Sequence, residues 1–132
     1  MWREAILDAA AAEFAERGYG GATLTRIGDR VGLSKPSVYH YVASKEALLA
    51  DLLEQVTDRI AEAAAVPASA SATERLRAFV RAHVTVSTES PKAAVLGENL
   101  DVLMARAADT RLAQVRARHE QRLADILAAG VA

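Results

Sequence analysis

Apolar side chains recur every three or four positions from the start of this chain. Between Trp2 and Arg17, Ile6, Ala9, Ala10 and Phe14 fall at helical spacing among Arg3, Glu4, Asp8, Glu13 and Glu16. That pattern predicts an amphipathic helix of about four turns, closed at Gly18. Tyr19-Gly20-Gly21 reads as a turn, after which Thr23 offers an N-cap hydroxyl to a short helix with Leu24, Ile27 and Val31 on its inner side. Gly32 ends it. Ser34 caps a second short helix almost at once, with Pro36 in its first turn, where the missing N–H costs nothing, and Val38 pointing inward. Ser44 caps a third start, and Leu48, Leu49, Leu52, Val56 and Ile60 carry a long helix to about Ala65.

The proline and serines of Val66 to Ala72 predict a flexible connection and a boundary between an N-terminal module and the rest of the chain. Thr73 to Glu89 then carries Leu76, Phe79, Val80, Val84 and Val86. Pro91 opens a segment with Val95, Leu96, Leu100, Val102, Leu103 and Met104. Thr110 to Ala129 carries Leu112, Val115, Leu123, Ile126 and Leu127, with Gly130 as its expected end. Every one of these segments reads at helical spacing, so the expected fold is all-α. Composition agrees: hydrophobic residues make up 52% of the 132, with only 7 glycines and 3 prolines.

The absence of cysteine excludes disulfide frameworks, thiol nucleophiles and cysteine-ligated metals. No apolar run approaches the roughly 20 residues of a membrane span, and Met1-Trp2-Arg3-Glu4 lacks the basic and apolar regions of a signal peptide. A cytoplasmic protein without a membrane partner is expected. A formal net charge of −1 conceals an asymmetry. Between Ala22 and Lys45, four cations (Arg26, Arg30, Lys35, Lys45) face one carboxylate, Asp29, whereas acidic residues outnumber basic ones from Glu46 onward. Positive charge therefore gathers on the two short helices, where a nucleic-acid footprint would need it.

Two short capped helices joined by a glycine turn are the helix-turn-helix arrangement. A recognition helix must present short polar or aromatic side chains to a major groove while its other face packs on the domain. Lys35, Ser37, Tyr39, His40 and Tyr41 meet the first need and Val38 the second. The run from Thr23 to Leu49, TLTRIGDRVGLSKPSVYHYVASKEALL, closely resembles the N-terminal domain of the TetR family of bacterial regulators, and the first helix with Phe14 and Gly18-Tyr19 is similar too. The sharp likeness covers about Ala5 to Leu53. It implies that Lys35, Pro36 and Ser37 read base edges, Pro36 and the Ser37 Cβ by apolar contact with a thymine methyl. Tyr39, His40, Tyr41 and Lys45 would then mostly hold phosphates. Thr25 and Arg26 near the start of the first short helix suit phosphate as well, Thr25 standing where some members reach a base. Ser34, the cap of the recognition helix, completes the DNA-binding set.

The chain departs from the family pattern at Val42, where phenylalanine is commonest, and at Gly28, where alanine is usual and glycine costs helix propensity of about 1 kcal/mol. The basic arm that often precedes the first helix is expected to be absent. The chain is also expected to stop near the end of a seventh helix, short of the helices that form the family's dimer bundle. The resemblance implies two domains, 1–45 binding DNA and 46–132 binding an effector and dimerising. The second begins with the long connecting helix and is incomplete. Phe79, His83, Leu96, Leu100, Leu103 and Met104 are expected to line the effector pocket, with plain core as the competing reading of Met104; Glu98, Asn99, Asp101, Arg118 and His119 are further polar candidates there. The implied function is a transcriptional repressor that binds a palindromic operator as a homodimer and is released by a small molecule, with no cofactor and no metal. The alternative is a helical protein-interaction module without DNA binding. An enzyme is not expected, because no nucleophile–base pair, metal-ligand cluster or glycine-rich phosphate loop is present.

Overall fold

The computed structural model describes residues 2–105 and 110–131. They form α1 (Trp2–Gly21), α2 (Leu24–Val31), α3 (Lys35–Tyr41), α4 (Lys45–Ala63), α5 (Ala72–Glu89), α6 (Pro91–Glu98), α7 (Leu100–Ala105) and α8 (Arg111–Val131), with no strand among the described residues. Helices α2 to α6 each start on a hydroxyl. Thr23, Ser34, Ser44, Ser71 and Ser90 each accept a bond from the backbone N–H three residues on, which satisfies an otherwise orphaned donor. Ser71 and Glu74 close a full capping box. Gly18 breaks α1 at φ 70°, ψ 169°, a backbone state closed to side chains, so the chain bends where the sequence predicts a stop.

Helix α4 forms the centre of the fold, packing on α1, α5, α6 and α8. Leu48, Leu49 and Leu52 are fully buried on it, and full burial of each such side chain stabilises the fold by about 1.5–3 kcal/mol. A single hydrophobic cluster runs from Ile6 in α1 through Val56 and Ile60 to Leu112 and Val115 in α8. Asp51 ties three elements, taking Arg3 of α1 at 2.8 Å and Arg111 of α8 at 2.5 Å. The connection after α4 is not loose: Arg75 of α5 reaches back to the carbonyls of Ala68 at 2.8 Å and Ala70 at 3.3 Å.

Several local expectations change in the folded chain. Glu13, read as part of the polar face of the first helix, is buried between Arg30 at 2.8 Å and Arg17 at 3.1 Å. Val80 and Val84 are 51% and 55% exposed, because α5 turns Phe79, Ala82 and Val86 inward. The segment opened by Pro91 is two helices, since Asn99 ends α6 and resets the register of α7. Leu103 then points inward, while Met104, expected in the core, is 60% exposed. Gly130 does not end α8, which runs on to Val131 with no positive φ there. No helix among the described residues is long and apolar enough to cross a membrane.

Candidate nucleic-acid interface

The two short helices pack through an unusually close backbone approach. Gly28, on the inner side of α2, accepts the Leu33 N–H at 2.9 Å. A Cβ at Gly28 would lie 2.5 Å from the Leu33 carbonyl oxygen and 2.8 Å from a Val38 methyl. The glycine that looked costly for an isolated helix is thus what allows α3 to sit against α2. Val38 is the one buried residue of α3, and Val42 is buried at its C-cap, so the smaller side chain still fills the space under the helix.

With Val38 inward, the opposite face of α3 is open. Lys35, Pro36, Tyr39, His40 and Tyr41 are exposed and Ser37 is half-buried. Ser34 caps the helix and lies 3.0 Å, oxygen to oxygen, from the Ser37 hydroxyl, so part of its capacity is spent on the helix start. The Lys35 ammonium stands 6.0 Å from the centre of the Tyr39 ring one turn on. Tyr41 stacks obliquely on Trp2 at 6.5 Å between ring centres. Trp2, Leu33, Pro36, Ser37, His40 and Tyr41 line a cleft of about 340 Å³ beside the helix. Sequence reasoning gave Trp2 no role; its signal was a large exposed aromatic on the polar side of an amphipathic helix.

The cationic side chains are less alike than a count suggests. Arg30 bonds Glu13 at 2.8 Å and Glu16 at 2.6 Å, which turns its charge toward α1 and away from the α3 face. The bond to Glu13, with the two carboxylates' charge, holds its guanidinium still more firmly protonated against a smaller opposing effect of burial. Lys45 also bends inward. At the N-terminus of α4 a cation is disfavoured, and its ammonium donates to the carbonyls of Tyr19 at 2.7 Å and Ala22 at 3.3 Å and lies 4.4 Å from the Tyr19 ring centre. Arg26 keeps one bond to the Gly21 carbonyl at 3.1 Å and is otherwise exposed beside exposed Thr25.

The residues expected to line a pocket in the second half divide. His83, Leu96 and Leu103 border a cavity of about 320 Å³ where α4 to α8 converge. Phe79 lines a neighbouring groove. Met104 lies outside both, and the side chain of Leu100 falls outside the described ones. Asn99 faces the other way. It is buried, its Oδ1 accepts the Tyr19 N–H of α1 at 3.0 Å, and its Nδ2 donates to the Val95 carbonyl at 2.8 Å. Among the described residues no group of three or more His, Asp or Glu could hold a metal ion.

The family model described as bacterial regulatory proteins, tetR family, matches residues 6–52. The chain is 40% identical over 65 residues to the HTH-type transcriptional repressor AcnR of Corynebacterium diphtheriae, covering 49% of this chain and 34% of that one. It is 32% identical over 95 residues to the HTH-type transcriptional regulator RutR of Escherichia coli K12, covering 71% and 45%. The chain therefore spans between a third and a half of the length of these relatives. Among solved structures, the TetR family transcriptional regulator PfmR of Thermus thermophilus superposes with a TM-score of 0.70 at 30% identity, over 96% of this chain and 70% of that one. These relatives are regulators rather than enzymes. By this structural match along nearly its whole length, and by the motif at its N-terminus, the chain belongs to the tetR family of bacterial regulatory proteins.

Proposed function

We propose that this protein is a transcriptional repressor that docks α3 in the major groove of a palindromic operator as a homodimer and leaves it when a small molecule binds the helical half. The observation that carries the reading is the open face of α3, where Lys35, Pro36, Tyr39, His40 and Tyr41 are exposed and Ser37 is half-buried, while Val38, with Val42 at the C-cap, anchors the helix. Residues 1–45 form the DNA-binding unit and 46–132 the unit for effector and dimer. Lys35, Pro36 and Ser37 meet base edges; Thr25, Arg26, Tyr39, His40 and Tyr41 hold phosphates. Lys45 has one N–H left for a phosphate after its two carbonyl bonds, so its main work is joining the start of α4 to the end of α1. Recognition helices of the two copies would sit about 34 Å apart, one turn of duplex.

The test begins with selection of bound duplexes from a random pool, followed by gel shifts. Lys35→Ala should weaken binding to the selected duplex by about 1–3 kcal/mol and relax preference at one base pair. Equal loss on every sequence would demote Lys35 to a phosphate contact. Affinity should also fall steeply with added salt, and a salt-independent complex, or none with any duplex, would favour the helical interaction module instead.

A further inference from the structure

A helix lying in a major groove has one sugar–phosphate backbone along each flank, so the two sides of α3 matter as much as its outermost residues. Successive side chains turn by about 100°, which sets Pro36 and His40 opposite buried Val38, Lys35 and Tyr39 on one flank, and Ser37 and Tyr41 on the other. The two flanks differ. The first carries a charge, the Lys35 ammonium 6.0 Å from the Tyr39 ring centre. The second is walled by α1. Trp2 meets Tyr41 at 6.5 Å between ring centres and helps to enclose the cleft of about 340 Å³ that Leu33, Pro36, Ser37 and His40 also line.

Among the described residues no lysine or arginine lines that cleft. Arg3, next along α1, is committed to Asp51 at 2.8 Å. What the second flank offers instead is neutral donors beside carbon. Trp2 is 45% exposed, and its indole N–H and the Tyr41 hydroxyl have no hydrogen-bond partner among the described residues. Leu33 and Pro36 supply apolar surface between them. A tryptophan joins a broad apolar face to a single donor, and it loses little freedom when held. That combination suits a deoxyribose, which meets the ring, and the phosphate attached to it, which accepts the N–H. The contact extends the exposed α3 face without a break, because the same cleft holds Ser37, His40 and Tyr41.

We infer that Trp2 is a DNA-contact residue: its indole N–H donates to a phosphate of the strand that Tyr41 holds, and its ring packs on the adjoining deoxyribose. This rests on reading α3 as the recognition helix and adds a contact from α1 that sets how α3 lies between the two strands, with Tyr39 toward one backbone and Tyr41 and Trp2 toward the other. Being neutral, the contact releases no counterion, and being made to the backbone, it carries no base preference.

Trp2 is the only tryptophan of the 132 residues, so tryptophan emission reports on it alone. Saturating the protein with the duplex selected from a random pool should change that emission. Trp2→Phe keeps a ring against Tyr41 and removes the N–H. In gel shifts it should bind the selected duplex roughly tenfold more weakly, the value of about one hydrogen bond to a charged group. The same factor should be lost on duplexes with one base pair changed, and the slope of affinity against salt should stay as it was. Replacing phosphates singly by methylphosphonates should find one position that weakens the unaltered protein more than Trp2→Phe. Unchanged emission at saturation, undiminished binding by Trp2→Phe, or a loss confined to the selected sequence, the sign that Trp2 only steadies α3, overturns the inference. If Trp2→Phe fails to fold, the methylphosphonate series read by emission decides: one substitution should abolish the emission change while the complex still forms, and the absence of any such position overturns the contact. No complex with any duplex sinks the repressor and this contact together, whereas a sequence-selective complex with silent Trp2 leaves the repressor standing.

Discussion

The two halves of this chain use the same device, an amphipathic helix, to opposite ends. In α2 and α3 the backbone is pressed together at Gly28, and the polar side chains are thrown outward. Around α5 to α8 the helices stand far enough apart to leave an apolar cavity, and polar groups such as His119 are drawn in. Close contact makes a rigid surface that can be read by a groove; looser contact makes an interior that can admit a molecule. Between them, α4 and the Asn99–Tyr19 bond tie one half to the other.

The largest expected effect tests whether the halves are one folding unit. Leu52→Ala, in the fully buried centre of α4, should lower stability by about 2–5 kcal/mol and leave a single unfolding transition by urea. Two separated transitions would show the halves to be independent. Next is Gly28→Ala. Helix propensity alone predicts a gain of about 1 kcal/mol, but contact with the Leu33 oxygen and Val38 should turn it into a loss of about 1–3 kcal/mol, read by the same titration. A stabilised variant would mean that α3 has room to move away from α2.

Asn99→Leu removes the acceptor of the Tyr19 N–H and should cost about 1–3 kcal/mol, while Asn99→Asp, which keeps an acceptor, should lose less. Identical losses would deny the bond between the halves. The smallest effect is in pH. His119 is kept neutral by burial, so its folded pKa lies below the ordinary 6.5 and the unfolded chain binds the proton more readily. Its contribution to stability is complete above about pH 6.5 and is lost as the pH falls from there toward the folded pKa. His119→Phe should flatten that slope, measured as midpoints of chemical denaturation across the range.

The helix-turn-helix was legible because its determinants are local. Thr23, Ser34 and Ser44 each bond the N–H three residues on, Gly32 stands in the left-handed state at the end of α2, and Val38 is the one apolar residue in the middle of a polar run. The pocket was legible only in part. His83, Leu96 and Leu103, grouped by spacing, border one cavity, but Met104, expected in the core, is exposed, because a uniform helical period from Pro91 does not see the break that Asn99 makes. His119 was one polar candidate among several until the fold set it beside Phe79 and His83.

By itself, then, the sequence determined the helices, their caps, the all-α class and the residues of the outward α3 face, since hydrogen bonds and periodicity within four positions are enough to specify them. Only the tertiary structure decided which charges remain available and where the cavity lies. Arg30 is withdrawn by Glu13, 17 positions earlier, and Asn99 is committed to Tyr19 across 80. Such partners come together only after the chain has closed long loops around a common core, and no local pattern records which of many distant carboxylates or N–H groups will be there.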